Sequence, residues 1–112
     1  MVGRAKEMIS RGAAKVAPLE IEQVLCSHPR VAEALVTGVP DELLGERIHI
    51  LIVPRRGAEA REGDLRAWAA ERLEKFKRPD AYHFGTELPL GGTGKADRGV
   101  LRTLLAGKAK ES

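Results

Sequence analysis

Apolar positions recur along this chain in two rhythms, and the changes between them mark its elements. Two short apolar-containing stretches, Glu7–Ile9 and Lys15–Ala17, flank Gly12 and predict a small hairpin. Pro18 suits the first position of a helix, and Ile21, Val24 and Leu25 then follow the i, i+3, i+4 spacing of one helical face until Pro29 ends the run. From Val31 to Val39 the pattern is that of a strand, stopped by Pro40-Asp41. A second strand is predicted over Arg47–Val53, apolar from Ile48 onward except at His49. The helical rhythm returns over Asp64–Phe76, with Leu65, Trp68, Ala69 and Leu73 on one face. Ala81–Phe84 reads as a short third strand. Asp97–Leu105 reads as a last helix, with Val100, Leu101, Leu104 and Leu105 turned inward. The sum is a small α+β domain: a three-stranded sheet, about three helices and an N-terminal β-hairpin.

Composition supports one domain and narrows its class. The chain has 112 residues, 43% hydrophobic and 31% charged, which is enough apolar material for a modest core and too much for disorder. The net charge of +3 permits an anionic partner without requiring one, because acidic residues are interleaved with basic ones. A single cysteine, Cys26, excludes an internal disulfide and a cysteine-based zinc site. No apolar run reaches membrane-spanning length and no signal-peptide pattern opens the chain, so a cytosolic domain is expected. The Ala/Lys/Glu/Ser tail, about 107–112, is expected to fray.

The segment with the most chemistry is Pro89-Leu90-Gly91-Gly92-Thr93-Gly94-Lys95-Ala96-Asp97-Arg98. Three glycines let a backbone turn tightly and approach a ligand, and Lys95 is placed near the tip as a point charge on a flexible stem. It is not a phosphate-binding P-loop, since that motif needs glycine where Pro89 stands and Ser or Thr where Ala96 stands. An ordinary turn with a solvated lysine is the other reading of the same residues.

Elsewhere the residues point to packing rather than chemistry. His28, His49 and His83 lack metal-ligand spacing, so no metal site is expected. Trp68 and Phe76, at helical spacing, are expected in the core. Arg55-Arg56 and Lys75, Lys77 and Arg78 form basic clusters. With four aromatic residues and no aromatic interleaving on strands, they make a poor RNA-stacking surface. Glu20 and Glu22 lie on different helix faces and do not form a carboxylate pair.

Several segments in order resemble the carboxy-terminal domain of the adenylate-forming enzymes: acyl- and aryl-CoA synthetases, luciferases and peptide-synthetase adenylation domains. They are Gly3-Arg4-Ala5-Lys6-Glu7-Met8-Ile9 with Gly12 and Val16-Ala17-Pro18-Leu19-Glu20-Ile21-Glu22; His28-Pro29-Arg30-Val31 with Glu33-Ala34, Pro40-Asp41 and Gly45-Glu46; Lys75-Phe76-Lys77-Arg78-Pro79; and Leu88-Pro89 leading to Gly94-Lys95 and Arg98. The resemblance covers residues 3 to about 105.

It implies a specific role for the whole chain, 1–112, as the mobile cap domain of a larger enzyme. In that family an amino-terminal domain binds ATP and a carboxylic acid, and the small domain turns between two half-reactions. The first forms an acyl-adenylate and pyrophosphate; the second passes the acyl group to a thiol, usually coenzyme A. The resemblance makes Lys95 the lysine that meets the carboxylate and the α-phosphate, Lys6 the hinge, and Arg4 a contact to the nucleotide. It places Gly12 and Ala13 beside the path of the pantetheine arm. Many relatives have a second glycine where this chain has Ala13, and Ala14 and Lys15 also depart from the commoner pattern. The implied substrates are ATP, with Mg2+ bound mainly by the absent amino-terminal adenylation domain, a carboxylic acid and CoA. The opening residues look most like the medium-chain acyl or aryl branch. Because no adenylation core is present, the chain is expected to be an excised domain with an added Met1, inactive alone. An enzyme that loads a carrier protein, and a non-catalytic basic RNA-binding module, are the two alternatives.

Overall fold

The computed structural model describes residues 8–11, 14–41, 45–92 and 94–111. Its elements run β1 (Ile9–Arg11), β2 (Ala14–Val16), α1 (Pro18–Cys26), β3 (Val31–Asp41), β4 (Gly45–Pro54), α2 (Glu62–Arg72), a 3-10 turn (Lys75–Lys77), β5 (Ala81–Phe84) and α3 (Arg98–Glu111). This is the expected α+β arrangement of three helices, a three-stranded mixed sheet and an N-terminal antiparallel hairpin. β3 and β4 pair antiparallel, β5 joins β4 in parallel, and among the described residues the β1–β2 hairpin attaches to β4 through the pair Arg11–Gly45. That attachment extends the sheet to five strands.

The alternation along β3 and β4 divides the core in two. Ala34, Val36, Ile48, Ile50 and Ile52 face one side, where Ile21 and Leu25 of α1 and Leu65, Ala69 and Leu73 cover them. Leu35 and Val39 face the other side and meet Leu101 and Leu105 of α3. A period of two therefore buries both faces of β3, because each face has a helix against it. β4 reads as a nearly continuous apolar run for the same reason.

Several expectations are corrected. Pro40-Asp41 does not end the first long strand: β3 continues to Asp41, with Pro40 opposite Glu46. β3 is an edge strand, where a missing amide donor is tolerated. The second helix is shorter than Asp64–Phe76, because the chain turns extended at Leu73 (φ −121°, ψ 145°). The Arg78 guanidinium donates to the carbonyls of Leu73 and Ala70 at 3.0 Å each, satisfying the helix end there. Phe76 consequently sits on a 3-10 turn and is exposed, not in the core, while Trp68 is half-buried and donates Nε1–H to the Val24 carbonyl at 2.9 Å. On α3 the inward pair is Leu101 and Leu105; Leu104 points out and is 56% exposed, and Val100 is half-buried. Helix α3 extends to Glu111, past the expected end at Leu105 and through the stretch expected to fray. No helix among the described residues is long and apolar enough to cross a membrane.

Candidate functional site

The glycine-rich segment folds into a closed loop. Leu90 and Ala96 form an isolated antiparallel bridge, and the Gly91 amide donates to the Lys95 carbonyl at 2.8 Å. The Gly94 amide donates to the Gly91 carbonyl at 3.0 Å, and Gly94 has φ 81°, a conformation that disfavours side chains. At the base the Asp97 amide donates to the Pro89 carbonyl at 3.0 Å. Gly91 is packed so closely that an added Cβ would lie 2.5 Å from Asp97 Oδ2. The loop is thus held at its neck, and Lys95 is exposed on it. Among the described residues no side chain pairs with its ammonium. Three N–H donors on an anchored but unpaired cation suit a phosphate or a carboxylate.

The next residues fasten this loop to the fold. Asp97 precedes α3 and accepts the Val100 amide at Oδ1 (3.1 Å), while its carbonyl accepts the Leu101 amide (3.2 Å). Arg98, the first residue of α3, donates to Glu22 of α1 through two nitrogens, at 2.7 Å to Oε1 and 3.1 Å to Oε2. Glu22 is buried and also accepts the Val36 amide of β3 at 2.8 Å. Sequence reasoning separated Glu22 from Glu20 correctly and went no further. Glu20 reaches Lys77 on the surface, whereas Glu22 faces inward toward a partner 76 positions away. Only an acidic residue on an otherwise apolar helix face hinted at it.

A second carboxylate joins the start of α3 to the hairpin. Glu46 of β4 accepts the Ser10 amide of β1 at 2.8 Å and pairs with Arg102 at 3.2 Å. Met8, Ile9, Arg98 and Gly99 line a small cleft of about 80 Å³ here. The strands that flank positions 12 and 13 are therefore tied to the helix that follows Lys95. Gly12, Ala13, Lys6 and Arg4 themselves lie outside the described residues.

One further pair escaped the sequence reading. His49 Nδ1 and His83 Nε2, on adjacent parallel strands, are 3.0 Å apart, with the rings nearly parallel at 13°. The His49 pKa is pushed below its ordinary value by burial first, then by His83 and Arg47, with Asp80 opposing. Among the described residues no group of three or more His, Cys, Asp or Glu side chains could hold a metal ion.

With this geometry in place, likeness to known proteins becomes informative. The family of the AMP-binding enzyme C-terminal domain matches residues 20–95, ending on the loop lysine. An oxalate–CoA ligase from Arabidopsis thaliana is 39% identical over 101 residues, covering 90% of this chain and 20% of the relative. A 2,3-dihydroxybenzoate-AMP ligase from Bacillus subtilis is 40% identical over 107 residues, covering 95% of this chain and 20% of the relative. Among solved structures, apo MatB from Rhodopseudomonas palustris superposes with a TM-score of 0.86 at 33% identity, covering 92% of this chain and 21% of that one. A fatty acyl CoA synthetase from Mycobacterium tuberculosis gives a TM-score of 0.82 at 34% identity, covering 92% of this chain and 20% of that one. The chain spans about a fifth of the length of the relatives it matches. On sequence and on fold alike, it belongs to the family of AMP-binding enzyme C-terminal domains.

Proposed function

We propose that this chain, 1–112, acts as the mobile C-terminal domain of an ATP-dependent, AMP-forming carboxylic acid–CoA ligase, with Lys95 as the cation of its adenylation step. The supporting observation is the loop: an exposed lysine, held at its neck by backbone hydrogen bonds, at the end of the family match. In the first half-reaction a carboxylate oxygen attacks the α-phosphorus of ATP, the bond to pyrophosphate breaks, and an acyl-adenylate forms. Negative charge gathers between two anions as the new bond forms. A cation already placed there stabilises the transition state more than the separated reactants. In the second half-reaction the CoA thiolate attacks the acyl carbon and AMP leaves.

The remaining assignments belong to the same proposal. Lys6 serves as the hinge, Arg4 contacts the nucleotide, and Gly12 and Ala13 border the pantetheine path. ATP, its Mg2+ and the acid are held mainly by an N-terminal adenylation domain of the parent chain, and the isolated domain is inactive. CoA is favoured over a carrier protein as acceptor because several relatives are named as CoA ligases, among them a sulfoacetate–CoA ligase from Cupriavidus necator. Membership in an enzyme family displaces the nucleic-acid alternative.

The test is the Lys95→Ala variant of the complete ligase. ATP–pyrophosphate exchange is expected to fall about 100- to 1,000-fold, the usual loss for one preorganised charge donor. Thioester formation from supplied acyl-adenylate should stay near wild type, because the domain has turned and the lysine has left. Equal losses in the two half-reactions, or none in either, would remove Lys95 from this role.

A further inference from the structure

We infer that Glu22 is a positioning residue for Lys95: by gripping Arg98 it fixes the start of α3, and with it the loop that presents the lysine. The inference rests on the reading of Lys95 as the adenylation cation.

The connection is continuous. The Val36 amide of β3 and both contacting nitrogens of Arg98 donate to one Glu22 carboxylate, at 2.8, 3.1 and 2.7 Å. Arg98 is three residues beyond Lys95 and opens α3. Between them Asp97 closes the loop neck through Pro89 and caps the helix through Val100. Movement of Arg98 would therefore move the neck of the loop.

The chemistry at this joint is costly for a merely structural staple. Glu22 is only 8% exposed, and the Arg98 side chain 26%. Both ions are largely removed from water, and apolar residues of similar volume often stabilise a fold as well as such a pair. A two-nitrogen fork on a carboxylate adds a fixed direction, which apolar packing lacks. α3 also meets the sheet through Leu101 and Leu105, a non-directional contact, and through the pair of the half-exposed Arg102 with Glu46, which lies one turn further from Lys95. The fork at its first residue holds the helix against a shift along its axis at the end nearest Lys95. A cation that must sit between two reacting groups is sensitive to such a shift, and a displacement of about 1 Å can cost on the order of 100-fold in rate.

Glu22→Gln tests this in the complete ligase. Glutamine keeps the shape but presents an N–H donor toward Arg98 or Val36, so the fork cannot persist as it is. The expected result is a drop of about 10- to 100-fold in kcat for adenylate formation. Thioester formation from supplied adenylate should remain near wild type, and amide exchange at 94–97 should quicken while β4 stays protected. Arg98→Lys keeps the charge and loses the fork; a smaller loss confined to the same half-reaction is expected. It decides the matter by the same measurements where Glu22→Gln fails to fold. Parallel losses in both half-reactions would assign Glu22 to stability alone and overturn the inference. So would wild-type adenylation in Glu22→Gln beside a crippled Lys95→Ala, which leaves the reading of Lys95 intact. If Lys95→Ala is itself fully active, the reading fails and the inference with it; quickened exchange at 94–97 would then show a grip without a catalytic purpose.

Discussion

Three glycines in one loop are chemically identical, yet their surroundings make them unequal. Gly94 has φ 81°, where an L side chain meets its own backbone, whereas Gly92 has open space around it. Gly94→Ala should therefore destabilise the domain by about 1–2 kcal/mol, the cost of holding a side chain in the left-handed region. Gly92→Ala should change stability by no more than about 0.5 kcal/mol, as at other unconstrained surface positions. Urea denaturation of the two variants measures the contrast, and equal losses would show that the loop is not held in this conformation. The sequence marked the loop through its glycine content and the position of Lys95. It was silent on which glycine carries the backbone constraint, because φ is set by where the neck hydrogen bonds close. Glu22 was likewise visible only as a polar residue on a helix, since its partners come from β3 and α3.

Among the elements, the helix rhythm located all three helices, and the strand rhythm located the sheet. Boundaries were less legible wherever a distant group decided them. The end of α2 is the clearest case: Leu65, Ala69 and Leu73 share the buried face, and the spacing continues to Phe76 without a break in pattern. What stops the helix is Arg78, whose guanidinium takes the carbonyls of Ala70 and Leu73. Pro79 ends the 3-10 turn that follows, by favouring extended backbone at Arg78, observed at φ −77° and ψ 141°. Arg78→Ala should cost about 1 kcal/mol, the net worth of these hydrogen bonds with water as substitute. For a domain of this size that lowers Tm by roughly 4–8 °C. A thermal melt checks the shift, and hydrogen exchange should show the added opening confined to the last turn of α2. An unchanged Tm would mean that the burial of Leu73 ends the helix without the arginine.

On the scale of the whole molecule, β4 is the common partner of β1, β3 and β5, and a half-buried histidine sits at its middle. His49 lies on the same face of β4 as Leu51, against His83, and its folded-state pKa is lowered by burial, by His83 and by Arg47, against Asp80. The unfolded chain therefore takes up this proton first as pH falls. This contribution to stability is fully present above the unfolded value of 6.5, and is lost as pH falls through 6.5 toward the lower folded value. Tm should accordingly fall between about pH 7.5 and pH 5, and His49→Gln, which does not titrate, should fall less over that window. Matching slopes for the two proteins would place the pH sensitivity elsewhere.

What the sequence determined by itself was everything carried by short-range pattern. The periods of two and 3.6, the prolines at the start of α1 and after it, and the glycine loop with its lysine are local, and order and spacing along the chain were enough to suggest the family. The tertiary structure decided whatever depends on groups far apart in sequence. It joined Glu22 to Arg98 across 76 positions, stopped α2 at a carbonyl chosen by Arg78, and brought His49 to His83 across 34. It also turned Leu104 outward although the helical pattern admitted it to the core. The physical reason is common to all of these. A residue's pattern states what it can bury or bond, while burial and hydrogen bonding are completed only by the surfaces that folding brings to it.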